Sequence, residues 1–324
     1  MPTSRWLCAL AVGTVAVSLS ACGGSTASKA SAGGGEATVA AADATLKGAT
    51  FTVSSKDFTE SILLGKITEA VLSAHGATVV DKTNIKGSVN TREALTSGQI
   101  DMYWEYTGTA WITYLKNTKP LPDPQAQYDA VKEGDAKNGI AWLPMAPMND
   151  TYAFATKPDV ATKLGVSNLS DVAKVSTTNP SEATFCIESE FSTRDDGFPG
   201  MVKAYGIKAP KENVKMLDTG VIYSTTAKGG TCNFGEVFAT DGRIKALGLK
   251  VLDDDKHFFP NYNAALTLKQ DLLSKYPKIA DYIAPVAAKL DNDTMTALNA
   301  KVDAEGMDPG DVASEWVKEQ GFDK

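Results

Sequence analysis

Histidine is almost absent from this sequence of 324 residues, which contains only His75 and His257. Neither residue has a partner at metal-ligand spacing, and so few histidines argue against a catalytic triad built on this residue. The sequence also lacks a phosphate-binding P-loop and the glycine fingerprint of dinucleotide-binding proteins. We therefore expect a protein that is not an enzyme, with no catalytic residues, no metal and no cofactor.

Basic residues are fewer than acidic ones. The chain has 32 lysine and arginine residues against 39 aspartate and glutamate residues, which gives a formal net charge of −7. The basic residues form no stripe along the sequence, whereas nucleic-acid-binding proteins concentrate them on one face. We therefore expect no nucleic-acid partner.

One sustained apolar run, Trp6 to Leu19, stands near the amino terminus. It is shorter than the roughly 20 apolar residues that a membrane-spanning helix needs, and such a run is typical of a secretory signal. It leads into Leu19-Ser20-Ala21-Cys22, which resembles a bacterial lipobox. This pattern predicts a lipoprotein signal peptide at residues 1–21 and lipidation of Cys22. An ordinary signal peptide followed by a chance cysteine is the alternative.

The next stretch, residues 22–47, is rich in glycine, alanine, serine and threonine and has no apolar period. Such a composition cannot bury enough apolar surface to offset the entropy of ordering it, so we expect a flexible tether. With a lipid on Cys22, the tether predicts a protein anchored to the outer face of the cytoplasmic membrane.

Cysteine is limited to four residues. Cys8 lies in the predicted signal peptide and Cys22 is the predicted lipidation site, which leaves Cys186 and Cys232. An even pair in an oxidising extracytoplasmic compartment predicts a disulfide, with two buried free thiols as the alternative.

From residue 48 onward, short β-type runs alternate with helical patterns, and the end of the chain is wholly helical. This alternation predicts an α/β fold with mainly parallel strand pairing. Asp57 and Glu60 have the spacing of a capping box at the start of the first helix, and Asp308 suits the N-cap of the last one.

Six short segments carry a resemblance to a known family. They are Ser54-Ser55-Lys56-Asp57-Phe58-Thr59-Glu60, Tyr103-Trp104-Glu105-Tyr106-Thr107-Gly108-Thr109, Asn149-Asp150-Thr151-Tyr152-Ala153, Glu190-Phe191-Ser192-Thr193-Arg194-Asp195-Asp196-Gly197, Phe238-Ala239-Thr240-Asp241-Gly242 and Phe259-Pro260-Asn261-Tyr262-Asn263. In this order they resemble the substrate-binding proteins of glycine betaine, carnitine and choline ABC importers. The resemblance implies a two-lobed, periplasmic-binding-protein-like fold of type II with a ligand cleft between the lobes. Lobe 1 would comprise residues 48–147 and 260–324, and lobe 2 residues 148–259.

The resemblance also implies a box of aromatic rings around the ligand. Carried over by motif, its walls are Tyr106, Tyr152, Phe238 and Tyr262, with Phe238 standing where a tyrosine is expected. A trimethylammonium group has a full positive charge but no N–H donor, and the negative faces of aromatic rings attract such a cation. Packing in a protein core is the alternative for each ring.

The other end of a zwitterionic ligand is a carboxylate. By the same resemblance, Arg194 would grip that carboxylate with paired hydrogen bonds, Lys56 would add a positive charge and Thr109 a hydroxyl. The alternatives are a salt bridge from Arg194 to Asp195, Asp196 or Glu190, and a surface position for Lys56. With both bases available, we expect glycine betaine as the ligand, with choline or carnitine as alternatives.

The expected role is that of an extracytoplasmic binding protein which captures a quaternary-ammonium solute. It would act as a monomer and deliver the solute to an ABC permease and its ATPase, as the resemblance implies. A sensor or interaction lipoprotein of the same fold, with no part in transport, is the alternative.

Overall fold

The computed structural model describes residues 46–324. The predicted signal peptide, Cys22 and nearly all of the tether lie outside these residues. Within them the strands are β1 Thr50–Lys56, β2 Thr78–Ile85, β3 Met102–Tyr106, β4 Ile140–Trp142, β5 Tyr152–Thr156, β6 Phe185–Ile187, β7 Val214–Met216, β8 Phe234–Phe238, β9 Lys250–Leu252 and β10 Ala264–Lys269.

The helices surround these strands. They are α1 Thr59–Ala74, α2 Ser88–Ser97, α3 Thr107–Thr109, α4 Pro124–Ala136, α5 Pro158–Leu164, α6 Leu169–Thr178, α7 Phe198–Tyr205, α8 Thr219–Lys228, α9 Arg243–Ala246, α10 Gln270–Lys275, α11 Lys278–Ala287, α12 Asn292–Asp303 and α13 Pro309–Gln320. A π-helical segment, Ala110–Tyr114, continues α3. The predicted α/β class is confirmed.

The strands form two five-stranded sheets, in the orders β2-β1-β3-β10-β4 and β7-β6-β8-β5-β9. In the first sheet β1 pairs in parallel with β2 and β3, but β10 is antiparallel to β3 and β4. In the second, β6 is parallel to β7 and β8, but β5 is antiparallel to β8 and β9. The prediction of mainly parallel pairing was therefore wrong. Both β10 and β5 enter after the chain has crossed from the other sheet, so no β-α-β crossover dictates their direction.

The chain crosses between the sheets twice, through residues 143–151 and 253–263. Each sheet with its helices forms one lobe of a two-lobed molecule. The predicted lobe limits, at 147/148 and 259/260, fall within these crossing segments, and we retain them as our proposal for the lobe boundaries.

Each lobe has its own hydrophobic core. In the first lobe, α1 packs on β1 and against the last helix, α13, where Trp316 is buried. Trp104 is fully buried there, and its indole N–H donates to the hydroxyl of Thr68 over 2.8 Å. The core of the second lobe is rich in phenylalanine, with Phe154 and Phe185 packed edge to face. These cores hold rigid the strand ends that border the space between the lobes.

The two predicted helix starts had different outcomes. Asp308 is the N-cap of α13 and accepts from the backbone N–H groups of Gly310 and Asp311, as predicted. The capping box at α1 is wrong, because Phe58 is the N-cap residue and no side chain caps the helix. Glu60 instead points into the interior and is almost fully buried.

Cys186 of β6 and Cys232, which precedes β8, are joined by a disulfide, and both residues are buried. The bridge closes a loop whose ends are 46 positions apart in the sequence. It ties two neighbouring strands of the second sheet through a loop that contains α7 and α8.

Replacing both cysteines by alanine should lower the free energy of unfolding by about 4 kcal/mol, since the open chain gains loop entropy in the unfolded state. Equilibrium denaturant unfolding under non-reducing conditions measures this change. The wild type in excess reductant serves as the chemical control. A loss below about 1 kcal/mol in both experiments would contradict a stabilising role for the bridge.

Candidate functional site: an aromatic cleft

A cleft with a volume of about 320 Å³ opens between the two sheets. Six of the seven predicted ligand-binding residues line it, namely Lys56, Tyr106, Thr109, Tyr152, Phe238 and Tyr262. Arg194 is not among the lining residues. The cleft therefore brings together the predicted rings from both lobes.

The four predicted rings come from strand ends and from a crossing segment. Tyr106 is the last residue of β3, Phe238 is the last of β8, and Tyr152 is the first of β5. Tyr152 and Phe238 are register partners, with ring centroids 5.4 Å apart. Tyr262, from the second crossing, lies almost perpendicular to Tyr152 at 5.2 Å. The rings of Phe238, Tyr152 and Tyr262 therefore form a contiguous surface with faces and edges at different angles.

Phe58 is a fifth ring that the sequence analysis did not select. It lies just before α1 in an extended conformation, with its centroid 5.7 Å from Tyr106 and 5.1 Å from Phe238. It therefore joins a ring of the first sheet to a ring of the second. The signal was present, since Phe58 belongs to the first of the six segments that carry the family resemblance.

Two of the tyrosines are held by buried carboxylates. The Tyr106 hydroxyl donates to Oε1 of Glu60 over 3.0 Å, and the Tyr262 hydroxyl donates to Oδ2 of Asp196 over 2.6 Å. Burial raises the pKa of both phenols well above the usual value, and the adjacent carboxylates raise it further. Both side chains therefore remain neutral donors, and each hydrogen bond fixes the position of its ring.

Arg194 is engaged by protein carboxylates. Its Nε and Nη2 donate to the two oxygens of Asp196 over 2.8 and 2.5 Å, and its Nη1 donates to Glu190 over 2.9 Å. A longer contact of 3.4 Å runs from Nη2 to the hydroxyl of Thr109. In this structure Arg194 therefore makes the salt bridges of the alternative, and its direct grip on a ligand carboxylate stays a prediction. The guanidinium neutralises Asp196, which in turn holds Tyr262.

Lys56 is buried and paired. Its Nζ donates to Oε1 of Glu105 over 2.5 Å and lies 5.0 Å from the centre of the Tyr106 ring. The second carboxylate oxygen of Glu105 accepts from the hydroxyls of Tyr103 and Tyr114. The surface alternative for Lys56 is therefore wrong, but Glu105 already balances its charge.

A carboxyl pair lies behind the rings. The hydroxyl of Thr240, from the second lobe, contacts Glu60 of α1 and lies 2.6 Å from Oδ1 of Asp150. Because a hydroxyl has one hydrogen, the second of these bonds requires a proton on one carboxyl group. Burial raises the pKa of Glu60 and of Asp150, and the charge of Glu60 raises that of Asp150 further. Thr240 thus connects the two carboxyl groups, and a proton on one of them satisfies both of its hydrogen bonds.

Neither metal-binding clusters nor membrane-spanning helices occur in the part of the chain that the structure describes. Residues 46–324 contain no group of three or more histidine, cysteine, aspartate or glutamate residues arranged to hold a metal ion. No helix among the same residues has the length and apolar character to cross a membrane.

Comparison with known proteins identifies the family. The model for the substrate-binding domain of the ABC-type glycine betaine transport system, OpuAC, matches residues 49–319. A glycine-betaine-binding protein of Pseudomonas aeruginosa is 37% identical over 275 residues, covering 83% of this chain and 88% of that protein. The glycine betaine-binding protein YehZ of Escherichia coli is 35% identical over 280 residues, covering 84% and 91%.

Solved structures agree in fold. Apo YehZ from Escherichia coli superposes with a TM-score of 0.62 at 33% identity, covering 84% of this chain and 99% of that one. A crystal structure described as a glycine betaine/carnitine/choline ABC transporter gives a TM-score of 0.67 at 27% identity, covering 85% and 100%. The family consists of solute-binding proteins rather than enzymes. The chain belongs to the family of substrate-binding domains of ABC-type glycine betaine transport systems, as the extracytoplasmic substrate-binding component of an importer of the glycine betaine, carnitine and choline class.

Proposed function

We propose that this protein captures a quaternary-ammonium solute in its aromatic cleft, with glycine betaine as the first candidate. One observation carries the proposal: five rings from both lobes border a single cavity of about 320 Å³. Two relatives that cover most of this chain are named for glycine betaine binding, which supports the same ligand.

The rings suit a methylated ammonium group for a physical reason. Such a group cannot donate N–H hydrogen bonds, so polar acceptors give it no directional advantage over water. Each well-placed ring face contributes about 0.5–2 kcal/mol of cation–π attraction, and burial of the methyl groups adds the apolar transfer term. Several rings together therefore bind a methylated ammonium group. They do not bind an unmethylated ammonium ion equally well, because that ion is more strongly hydrated and loses more on leaving water.

The charges around the cleft also favour a cation. Five carboxyl residues border the cavity, namely Asp57, Asp150, Glu188, Glu190 and Glu236, against the two bases Lys56 and Lys86, and burial raises the pKa of two of the five, Asp150 and Glu236. Since Lys56 is paired with Glu105 and Arg194 with Asp196 and Glu190, the cleft has little free positive charge. Choline, a net cation that ends in a hydroxyl, is therefore the second candidate, ahead of carnitine.

The protein performs no covalent chemistry in this proposal. Contacts from both lobes favour the closed state once the ligand lies between them, and the closed form is what a permease and its ATPase would recognise. We further propose that lipidation of Cys22 keeps the protein, as a monomer, at the outer face of the cytoplasmic membrane.

Replacing Tyr152 by alanine should weaken choline binding at least tenfold, because this ring contacts both Phe238 and Tyr262 and forms a central wall of the box. Isothermal titration calorimetry measures the affinity.

The wild type should also bind the uncharged carbon isostere of choline at least tenfold more weakly than choline. Phe322→Ala, which removes a ring packed on α13, is the matched control. Equal affinity for choline and its isostere would contradict a cation–π contribution to binding.

Replacing Gly108 by alanine should weaken the binding of glycine betaine and choline at least tenfold. A methyl group at this position would lie 2.6 Å from Cε1 of Tyr262 and 2.8 Å from the carbonyl oxygen of Asn261, so the Tyr262 ring must move. Gly134→Ala is the control, since the atoms nearest to its added methyl belong to the flexible end of Leu115. Unchanged affinity in a folded Gly108→Ala protein would count against Tyr262 as a wall of the site.

Replacing Arg194 by alanine should weaken glycine betaine and choline to a similar degree, because its guanidinium positions Asp196 and Tyr262 rather than the ligand. The buried carboxylate left unpaired should also lower the free energy of unfolding by about 3–5 kcal/mol. Calorimetric titration with both ligands, together with denaturant unfolding, tests this. A loss confined to glycine betaine would restore the direct carboxylate grip.

A further inference from the structure

Glu236 is a buried carboxyl group in the cleft that the aromatic box does not use. It lies on β8 two residues before Phe238, so both side chains leave the same face of the strand, about 6.8 Å apart along it. It is only 4% exposed, yet it lines the cavity. Its carboxyl group is therefore available to a ligand whose ammonium end rests against the Phe238 ring.

The surroundings of Glu236 are mostly acidic. Its Oε2 accepts the backbone N–H of Glu188 over 2.7 Å, and the carboxylates of Glu188 and Glu190 face it from the loop after β6. Arg194 is a nearby cation, and its charge is balanced by salt bridges to Asp196 and Glu190. Tyr152 of β5 lies beside it as a neutral phenol. Across the cavity, the first lobe contributes the charged groups of Lys56, Asp57 and Lys86.

This setting opposes ionisation of Glu236. Desolvation by burial is the main cause, and the charge of Glu188 adds to it, while the N–H bond and Arg194 act in the opposite direction. Together they raise the pKa of Glu236 to about 8. The group is therefore mostly a neutral acid at neutral pH and becomes a carboxylate under mildly alkaline conditions.

We propose that Glu236 receives the polar end of the ligand and makes the ligand preference depend on its own protonation. This inference rests on the proposed function. As a neutral acid, Glu236 donates its O–H to the carboxylate of a zwitterion such as glycine betaine. As a carboxylate, it accepts the hydroxyl of choline and balances the charge of that net cation.

The engagement of Arg194 and Lys56 by protein carboxylates favours this role. A zwitterion in the cleft needs a donor for its carboxylate, and neither Arg194 nor Lys56 is free of a protein counter-ion. An ionised Glu236 would instead add a third carboxylate next to Glu188 and Glu190, facing the negative end of the ligand. Binding of glycine betaine thus stabilises the proton on Glu236, whereas binding of choline displaces it.

The two ligands should therefore respond to pH in opposite directions. The affinity for each ligand scales with the fraction of protein in the competent protonation state. With half-titration at about pH 8, glycine betaine should bind about tenfold more weakly at pH 9 than at pH 7, and choline about tenfold more tightly. Other carboxyls near the box, Glu60 and Asp150, also have raised pKa values, so a substitution must isolate Glu236.

The experiment is calorimetric titration of glycine betaine and of choline against the wild-type protein, Glu236→Gln and Asp57→Asn at pH 7, 8 and 9. Glutamine keeps the shape and a neutral donor, so Glu236→Gln should remove both pH dependences and bind glycine betaine equally well at pH 7 and pH 9. Asp57→Asn removes a cavity-lining carboxylate of the first lobe and should keep both dependences. Repeating the wild-type titrations in buffers of different ionisation enthalpy should reveal proton uptake with glycine betaine and proton release with choline.

The outcomes separate this inference from the proposed function. If both ligands bind but their pH dependences match in sign, or persist in Glu236→Gln, the role of Glu236 is overturned while the proposed function stands. Failure of both ligands to bind at every pH overturns the proposed function, and the role of Glu236 with it. If Glu236→Gln does not fold, Glu236→Ala takes its place: it also removes the titrating group, so opposite pH dependences that persist in it overturn the role of Glu236, and their loss supports it.

Discussion

Two buried carboxylates, Glu60 and Asp196, each accept a hydrogen bond from the phenol of a cleft tyrosine, Tyr106 and Tyr262 respectively. Rings that must present their faces to a ligand cannot rely on packing alone, because one side of each ring borders an open cavity. A hydrogen bond at the far end of the ring supplies the missing restraint. Since a buried carboxylate is stable only when it is paired or protonated, this arrangement also dictates its neighbours. Arg194 neutralises Asp196, while Thr240 and Asn299 donate hydrogen bonds to Glu60.

These supports leave the cleft short of free positive charge. Lys56 and Arg194 both lie close to aromatic rings, at 5.0 and 5.7 Å from the centres of Tyr106 and Tyr152, yet each has its own carboxylate partner. The excess of carboxyl groups around the cavity attracts cations and keeps some of those groups protonated. We therefore propose that this protein recognises a zwitterion by more than a simple pairing of the ligand carboxylate with a free base.

Several features could be predicted from the sequence because local chemistry determines them. The strand–helix alternation indicated the α/β class, and Asp308 before a proline indicated the start of the last helix. The residue motifs identified Tyr106, Tyr152, Phe238 and Tyr262, which all border one cavity.

Other features depend on contacts between distant segments, which periodicity does not encode. The antiparallel entry of β10 follows from the path between sheets, and the capture of Arg194 by Asp196 depends on how one loop folds back. Glu60 fitted a capping box by spacing, but its partner Thr240 is 180 positions away.

The central claim is that rings from both lobes surround a methylated cation in this cleft. A crystal structure of the protein with glycine betaine tests it most directly. The account predicts the ammonium nitrogen within about 6 Å of the ring centres of Tyr106, Tyr152 and Tyr262, with the lobes closed around it. A ligand bound outside the cleft, or bound in it with its ammonium group away from these rings, would contradict the account.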